Sequence, residues 1–236
     1  MPYAAPQNIV IKLSGKMMTD DCQWNWPLIA ALAAEFQTQA RLGLFAVLVV
    51  GGGNVIRGRE SDAKYLPRQF ADQMGMLATN INALALAGSL QVAGLATQAM
   101  SAVSVDGMLP KISKGALRRA RKNGSWVVCG GGIGKVGHST DLAAMARAVQ
   151  IDADLVIKLT DVDGVYDSDP DTNPQAKKIA HLTYAQAISQ NLQVMDIEAW
   201  QLAQSHKIPT RVIQWSPGNF TQLMQGENIG TLLTAA

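Results

Sequence analysis

Residues 45–58, FAVLVVGGGNVIRG, decide the fold: six apolar residues run into three consecutive glycines, and an arginine follows four positions after the last of them. An apolar, valine-rich run of that length, bounded by turn residues, reads as a strand buried on both faces, and such strands belong inside parallel sheets. In a doubly wound sheet the loops after the carboxyl ends of the strands open on the ligand crevice. Three successive glycines cost backbone entropy and need a reason. Free N–H groups at Gly51 to Gly53, with Arg57 one turn later, suit capture of a phosphate. The bland reading is a tight strand-to-helix turn with a surface arginine.

Outward from this segment, further short apolar runs alternate with helical patterns, the signature of repeated βαβ units. Strands are expected at Ile9–Leu13, Phe45–Val50, Leu95–Met100, Trp126–Gly130, Leu155–Leu159, Arg211–Gln214 and Gly230–Leu233. The clearest helix spans about Arg68 to Leu90, where Phe70, Met74, Leu77, Ile81 and Leu84 recur at helical spacing. That stripe is expected to pack on the sheet or on a partner subunit. No repeat or linker divides the chain, so 236 residues, nearly half of them apolar, predict one α/β domain over 1–236: a three-layer α/β/α sandwich on a mostly parallel sheet. The only long irregular stretch is Asp161 to Lys177, rich in Asp, Pro and Asn.

Composition narrows the function. Twenty basic and 18 acidic residues give a net charge of +2 with no long block of either sign, so no nucleic-acid partner is expected. Cys22 and Cys129 lack metal-ligand spacing and imply neither a disulfide framework nor an oxidising compartment. The N-terminus carries no apolar leader and Leu44–Val50 is far too short for a membrane span, so no membrane role is expected and the place predicted is the cytoplasm.

Two more loops follow predicted strands. In Lys12-Leu13-Ser14-Gly15 a lysine near the end of an apolar strand meets small residues whose amides can approach a phosphate; it reads either as an anion contact or as a lysine reaching solvent. The loop from Gly130 to Asp141 again links strand to helix, with Ser139, Thr140 or Asp141 available as N-cap. Gly132, Gly134 and Gly137 fit G-x-G-x-x-G, but Asp152 and Asp154 precede the next strand where a dinucleotide fold needs an acid after it, so an NAD-dependent oxidoreductase is a weak reading. A Walker A loop fails because Val136 follows Lys135 where Ser or Thr must hold magnesium. His138 reads as a loop hydrogen-bonder.

The segments IVIKLSGK (9–16), LVVGGGNVIRG (48–58), DQMGMLATNINALAL (72–86), DLVIKLTDVDGVYDSDP (154–170), PTRVIQ (209–214) and GTLL (230–233) resemble, in order, the motifs of bacterial uridylate (UMP) kinases within the amino-acid-kinase superfamily. The resemblance runs from about Ile9 to Thr234. It implies the amino-acid-kinase fold, ATP and Mg2+ as cofactors, a nucleoside monophosphate as acceptor, UMP to UDP conversion in pyrimidine nucleotide biosynthesis, and a homohexamer built from dimers. It further implies that Lys12, Ser14, Gly15, Gly53 and Arg57 contact ATP phosphates and that Thr160, Tyr166 and Asp169 hold adenine and ribose. On the acceptor side it implies Gly52 and Asp72, and the aligned third loop adds Gly134, Ser139 and Thr140, with Lys135 a candidate there by its charge and not by the resemblance. Asp141 would orient the catalytic lysine and magnesium; direct metal ligands stay unassigned. Lys158 matches the second lysine of the catalytic region and reads equally as an ion-pair partner of an aspartate.

The chain departs from the family in the third loop. Where bacterial UMP kinases usually carry Asn-Pro-Phe-Phe, this sequence has Lys135-Val136-Gly137-His138, and Lys135 reads either as a new anion contact or as a solvated lysine. Lys16 replaces a usual glutamate, and Gln91 to Thr97 lack the arginines that serve GTP activation in many members, so that regulation is not predicted. The alternative to a UMP kinase is a non-catalytic or retuned paralogue that binds ATP and another anion.

Overall fold

The structure, a computed structural model, describes residues 6–20, 23–56, 64–168, 172–192 and 194–236. Cys22 and two of the expected nucleotide contacts, Arg57 and Asp169, lie outside them. The elements in chain order are β1 (Asn8–Leu13), β2 (Thr19–Asp20), β3 (Gln23–Trp24), α1 (Trp26–Arg41), β4 (Phe45–Val50), α2 (Arg68–Val92), β5 (Thr97–Ser101), α3 (Lys114–Lys122), β6 (Trp126–Gly130) and α4 (Thr140–Ile151). The second half adds β7 (Leu155–Thr160), β8 (Val165–Tyr166), β9 (Lys178–Ile179), β10 (His181–Thr183), α5 (Tyr184–Ser189), α6 (Ile197–Ser205), β11 (Thr210–Gln214), α7 (Asn219–Met224) and β12 (Thr231–Thr234).

Eight strands form one sheet in the order β10-β12-β11-β7-β1-β4-β6-β5. From β11 to β5 every pairing is parallel; β12 runs antiparallel to β11, and β10 follows β12. Burial explains the pattern: all six residues of β4 and the apolar residues of β1 and β7 are covered on both faces, apart from half-buried Leu155 at the start of β7. Helix α1 packs on α2 and α7, α4 on α3 and α6, and α5 on α6, which makes two helical layers over the sheet. An edge-on contact of Phe36 with Phe220 at 4.9 Å ties α1 to α7 in the core. Glu35 of α1 also accepts from Gly218 N, Thr221 N and Thr221 Oγ1, capping α7 from another element.

Local signals set the helix starts. Asn25, Ser113, Ser139, Thr183 and Asp196 each cap the following helix through a side-chain oxygen, and Thr183 with Gln186 completes a capping box. The expected strand at Leu95–Met100 begins two residues later, since Gly94 and Leu95 are spent reversing the chain after α2. The irregular stretch from Asp161 contains β8, whose pairing with β9 the short polar sequence did not announce.

Helix α2 turns the reverse way from its most obvious pattern. Phe70, Met74, Leu77, Ile81 and Leu84 are exposed, while Ala71, Ala78, Thr79, Asn82, Ala83, Leu86 and Leu90 face the sheet. Small residues lie inside because α2 packs closely on β5 and β6. The expectation that the large stripe packs on the sheet is therefore corrected, and its alternative, a partner subunit, is left open.

Candidate active site

Strands β1, β4, β6 and β7 deliver their carboxyl ends side by side, and the site is built there. Lys12 and Lys158 are direct partners in the β1/β7 register, so their side chains leave the same face of the sheet next to each other. Two ammonium groups so placed repel unless an anion intervenes. Asp141 supplies it: Oδ1 lies 3.1 Å from Lys12 Nζ and Oδ2 2.8 Å from Lys158 Nζ. Lys158 Nζ also donates to the Val194 carbonyl.

The local sequence puts Asp141 there. Ser139 caps α4, accepting from Asp141 N and Leu142 N, and an acid in the first turn suits the positive end of the helix dipole. Burial pushes the Asp141 carboxyl up, but the Lys12 and Lys158 charges and their hydrogen bonds overturn that and hold its pKa at about 2. Burial pulls the Lys158 ammonium down, against the opposing pull of Asp141. Two lysines and one carboxylate leave a net positive charge at the floor of the crevice, suited to a polyanion.

Beside this triad lies a cavity of about 450 Å3. Of the expected acceptor residues, Gly52, Asp72, Lys135, Ser139 and Thr140 line it, together with Gly53 and Asp141. Gly134 does not: its N–H closes a turn onto Gly131 O, and a Cβ there would lie 3.0 Å from Ala102 O. Asp72 is held by Arg68 at 2.7 Å, one turn earlier on α2. His138 lies on the cavity wall and its Nδ1 stands 2.9 Å from Glu198 Oε2, a loop hydrogen bond as its sequence context suggested. Lys135 makes no ion pair among the described residues.

Among the described residues, the remaining expected nucleotide contacts, Lys12, Ser14, Gly15, Thr160 and Tyr166, are not on that cavity's wall. Ser14 opens a short 3-10 turn over Gly15–Met18, and Gly51 N donates to Leu13 O at 2.9 Å, so the first two loops touch. That contact is why Gly15 is glycine: a Cβ would sit 2.7 Å from Gly51 O. Thr160 ends β7, with Oγ1 bonded to Asp161 and its carbonyl to Trp215 N. Tyr166 Oη donates to Asp163 at 2.6 Å, and Lys178 pairs with the same carboxylate.

Sequence reading missed Arg68, Met195 and Asp196, all on the cavity wall. Asp196 caps α6 and accepts from the Ser139 hydroxyl, so one residue ties the third loop to a helix 57 positions away. Its N-cap position before Ile197 was the available signal; its approach to Ser139 had none. Among the described residues no group of three or more His, Cys, Asp or Glu stands ready to hold a metal alone.

Comparison with known proteins follows this geometry. Residues 7–214 match the amino acid kinase family. The uridylate kinase of Methylococcus capsulatus is 39% identical over 230 residues, covering 96% of each chain. Among solved structures, UMP kinase from Bacillus anthracis superposes with a TM-score of 0.93 at 31% identity, covering 98% of this chain and 97% of that one. UMP kinase from Ureaplasma parvum gives 0.90 at 31% identity over 97% and 98%. Uridylate kinase from Archaeoglobus fulgidus gives 0.73 at 28% over 95% and 99%.

Proposed function

The chain belongs to the amino acid kinase family, and from that premise we propose that it transfers the terminal phosphoryl group of ATP to UMP, yielding ADP and UDP. The observation that carries the reading is the Lys12–Asp141–Lys158 triad at the floor of a crevice flanked by glycine loops. A phosphate acceptor is already ionised, so the reaction needs no general base; it needs two polyanions aligned and their charge offset.

In this reading Lys12, with amides of Ser14, Gly15 and Gly53 and the arginine at 57, meets the ATP phosphates. Lys158 and Lys12 together neutralise charge developing on the transferred group, and Asp141 fixes both. Thr160, Tyr166 and Asp169 take the adenosine end. Gly52, Asp72, Lys135, Ser139 and Thr140 receive the nucleoside monophosphate, with Lys135 making no ion pair among the described residues and so available to its phosphate. Magnesium would arrive on the ATP phosphates and offset their charge, with Asp141 the carboxylate nearest that region. In this reading the reaction serves pyrimidine nucleotide biosynthesis, and the proposed location is the cytoplasm. A non-catalytic or retuned anion binder has only the Lys135 to His138 substitutions in its support.

An ADP-release assay with UMP, CMP, aspartate and acetylglutamate decides the acceptor. Turnover is expected with UMP well above the others, and none with UMP at millimolar concentration rejects the reading.

Assembly belongs to the same proposal. Five large apolar side chains along one exposed face of α2 make a patch that monomers rarely leave to water, and a second copy presenting the same face covers it symmetrically. Leu77 is 56% exposed, so Leu77→Glu should leave the fold intact and shift the light-scattering mass from oligomer to smaller species. An unchanged mass removes this face from the interface.

A further inference from the structure

The buried face of α2 carries polar side chains that its packing role does not require. Asn82 is fully buried, donates to Gly51 O at 2.6 Å, and exchanges hydrogen bonds with the Asn54 side chain at 2.7 and 3.1 Å. Thr79, 3% exposed and one turn earlier, accepts from Gly131 N at 2.7 Å and donates to Met76 O at 2.6 Å. Residues three apart share a helix face. One rigid face therefore holds the loop after β4 through Asn82 and the loop after β6 through Thr79.

The glycines confirm how close that hold is. A Cβ on Gly52 would stand 2.6 Å from Gly75 O and 3.1 Å from Ala78 Cβ, and one on Gly130 would stand 2.9 Å from Thr79 O. Both are glycine because the α2 backbone lies against them, whatever a phosphate also asks of them. Asn54 in turn lies over Gly15, where a Cβ would come within 2.6 Å of its Oδ1, so the hold extends to the loop after β1. Apolar residues would fill the same space without fixing any loop carbonyl or amide.

We infer that Thr79 and Asn82 are positioning residues that set the spacing between the ATP-side and acceptor-side loops. The assignment of loops to substrates rests on the function proposed above. Neither side chain needs to touch a substrate; each acts through the backbone it grips. In-line transfer between two bound nucleotides depends on that spacing, and small misplacements of reacting groups are costly.

Thr79→Val keeps the shape and removes the hydroxyl, leaving Gly131 N–H buried without an acceptor. Hydrogen exchange across 129–134 should speed up by about tenfold or more, and kcat with UMP should fall by about tenfold, with the KM for ATP within about twofold of wild type. Thr79→Ser should restore both. Asn82→Ala should raise the KM for ATP and speed exchange across 51–56. Loss of melting temperature with wild-type kcat, KM and loop exchange well below the melting point would mean a merely structural role and overturns the inference. If the wild type does not turn over UMP, the acceptor reading fails separately; loop exchange then decides, and wild-type exchange in Thr79→Val sinks the brace.

Discussion

Lys12→Ala lowers kcat by roughly 10²- to 10³-fold while the protein still folds, the scale seen when one charge-stabilising donor is removed from a reacting centre. Lys12 stands near the end of β1, its side chain 12% exposed at the crevice floor and its ammonium 3.1 Å from Asp141. Both anionic substrates must meet over this floor, and the donor is fixed before they arrive, so nothing has to reorganise in the transition state. Lys12→Met retains the apolar stem of the side chain and separates charge from volume. Both variants should melt close to wild type, because removing Lys12 relieves repulsion with Lys158 as well as losing a partner for Asp141. Single-turnover rates with ATP and UMP check the effect. Wild-type turnover in either variant removes Lys12 from the chemistry.

Asp141→Asn is expected to damage stability and rate together. Without the carboxylate, Lys12 and Lys158 face each other across adjacent strands with no ion-pair partner among the described residues and only the charge of Asp196 acting on Lys158, and breaking a buried ion pair from one side costs about 3–5 kcal/mol. Urea unfolding measures that loss, and a variant as stable as wild type would reject it. The pH dependence has a definite sign. The folded pKa of Asp141 is about 2, below the ordinary carboxylate value, so its contribution is complete above the unfolded pKa and is lost as pH falls toward 2. Wild type should therefore lose this contribution only in strong acid, and the asparagine variant should lack that part of the acid transition.

Much of this arrangement was legible beforehand. The buried strands announced themselves as continuous apolar runs, because a strand covered on both faces cannot alternate. The loops after β4 and β6 were legible as glycine clusters at strand ends and the loop after β1 as small residues behind a lysine, while the cap of α4 was narrowed to Ser139, Thr140 or Asp141 and is Ser139. Helix α2 was read at nearly its full length, with its large apolar stripe assigned to the sheet or to a partner subunit, and the exposure of that stripe removes the sheet. Periodicity marks an apolar stripe without saying what covers it, and the stripe that packs here is Ala, Thr and Asn through most of its length, with Leu only at 86 and 90, which a hydrophobic pattern overlooks. Lys158 read equally as the second lysine of the catalytic region or as an ion-pair partner of an aspartate, and only the structure supplies the aspartate, Asp141.

Sequence alone thus determined the local elements: strands, caps, glycine loops and the ordered motifs that mark the family. Those depend on burial pattern and backbone freedom, which neighbouring residues encode. Only the tertiary structure decided which distant groups meet. Lys12 and Lys158 lie 146 positions apart and become neighbours through one strand register; Asp196 reaches Ser139, and Thr79 and Asn82 reach two separate loops, through helix packing. Such meetings are fixed by long-range contacts formed as the whole sheet and its helical layers close, and no local run of residues specifies them.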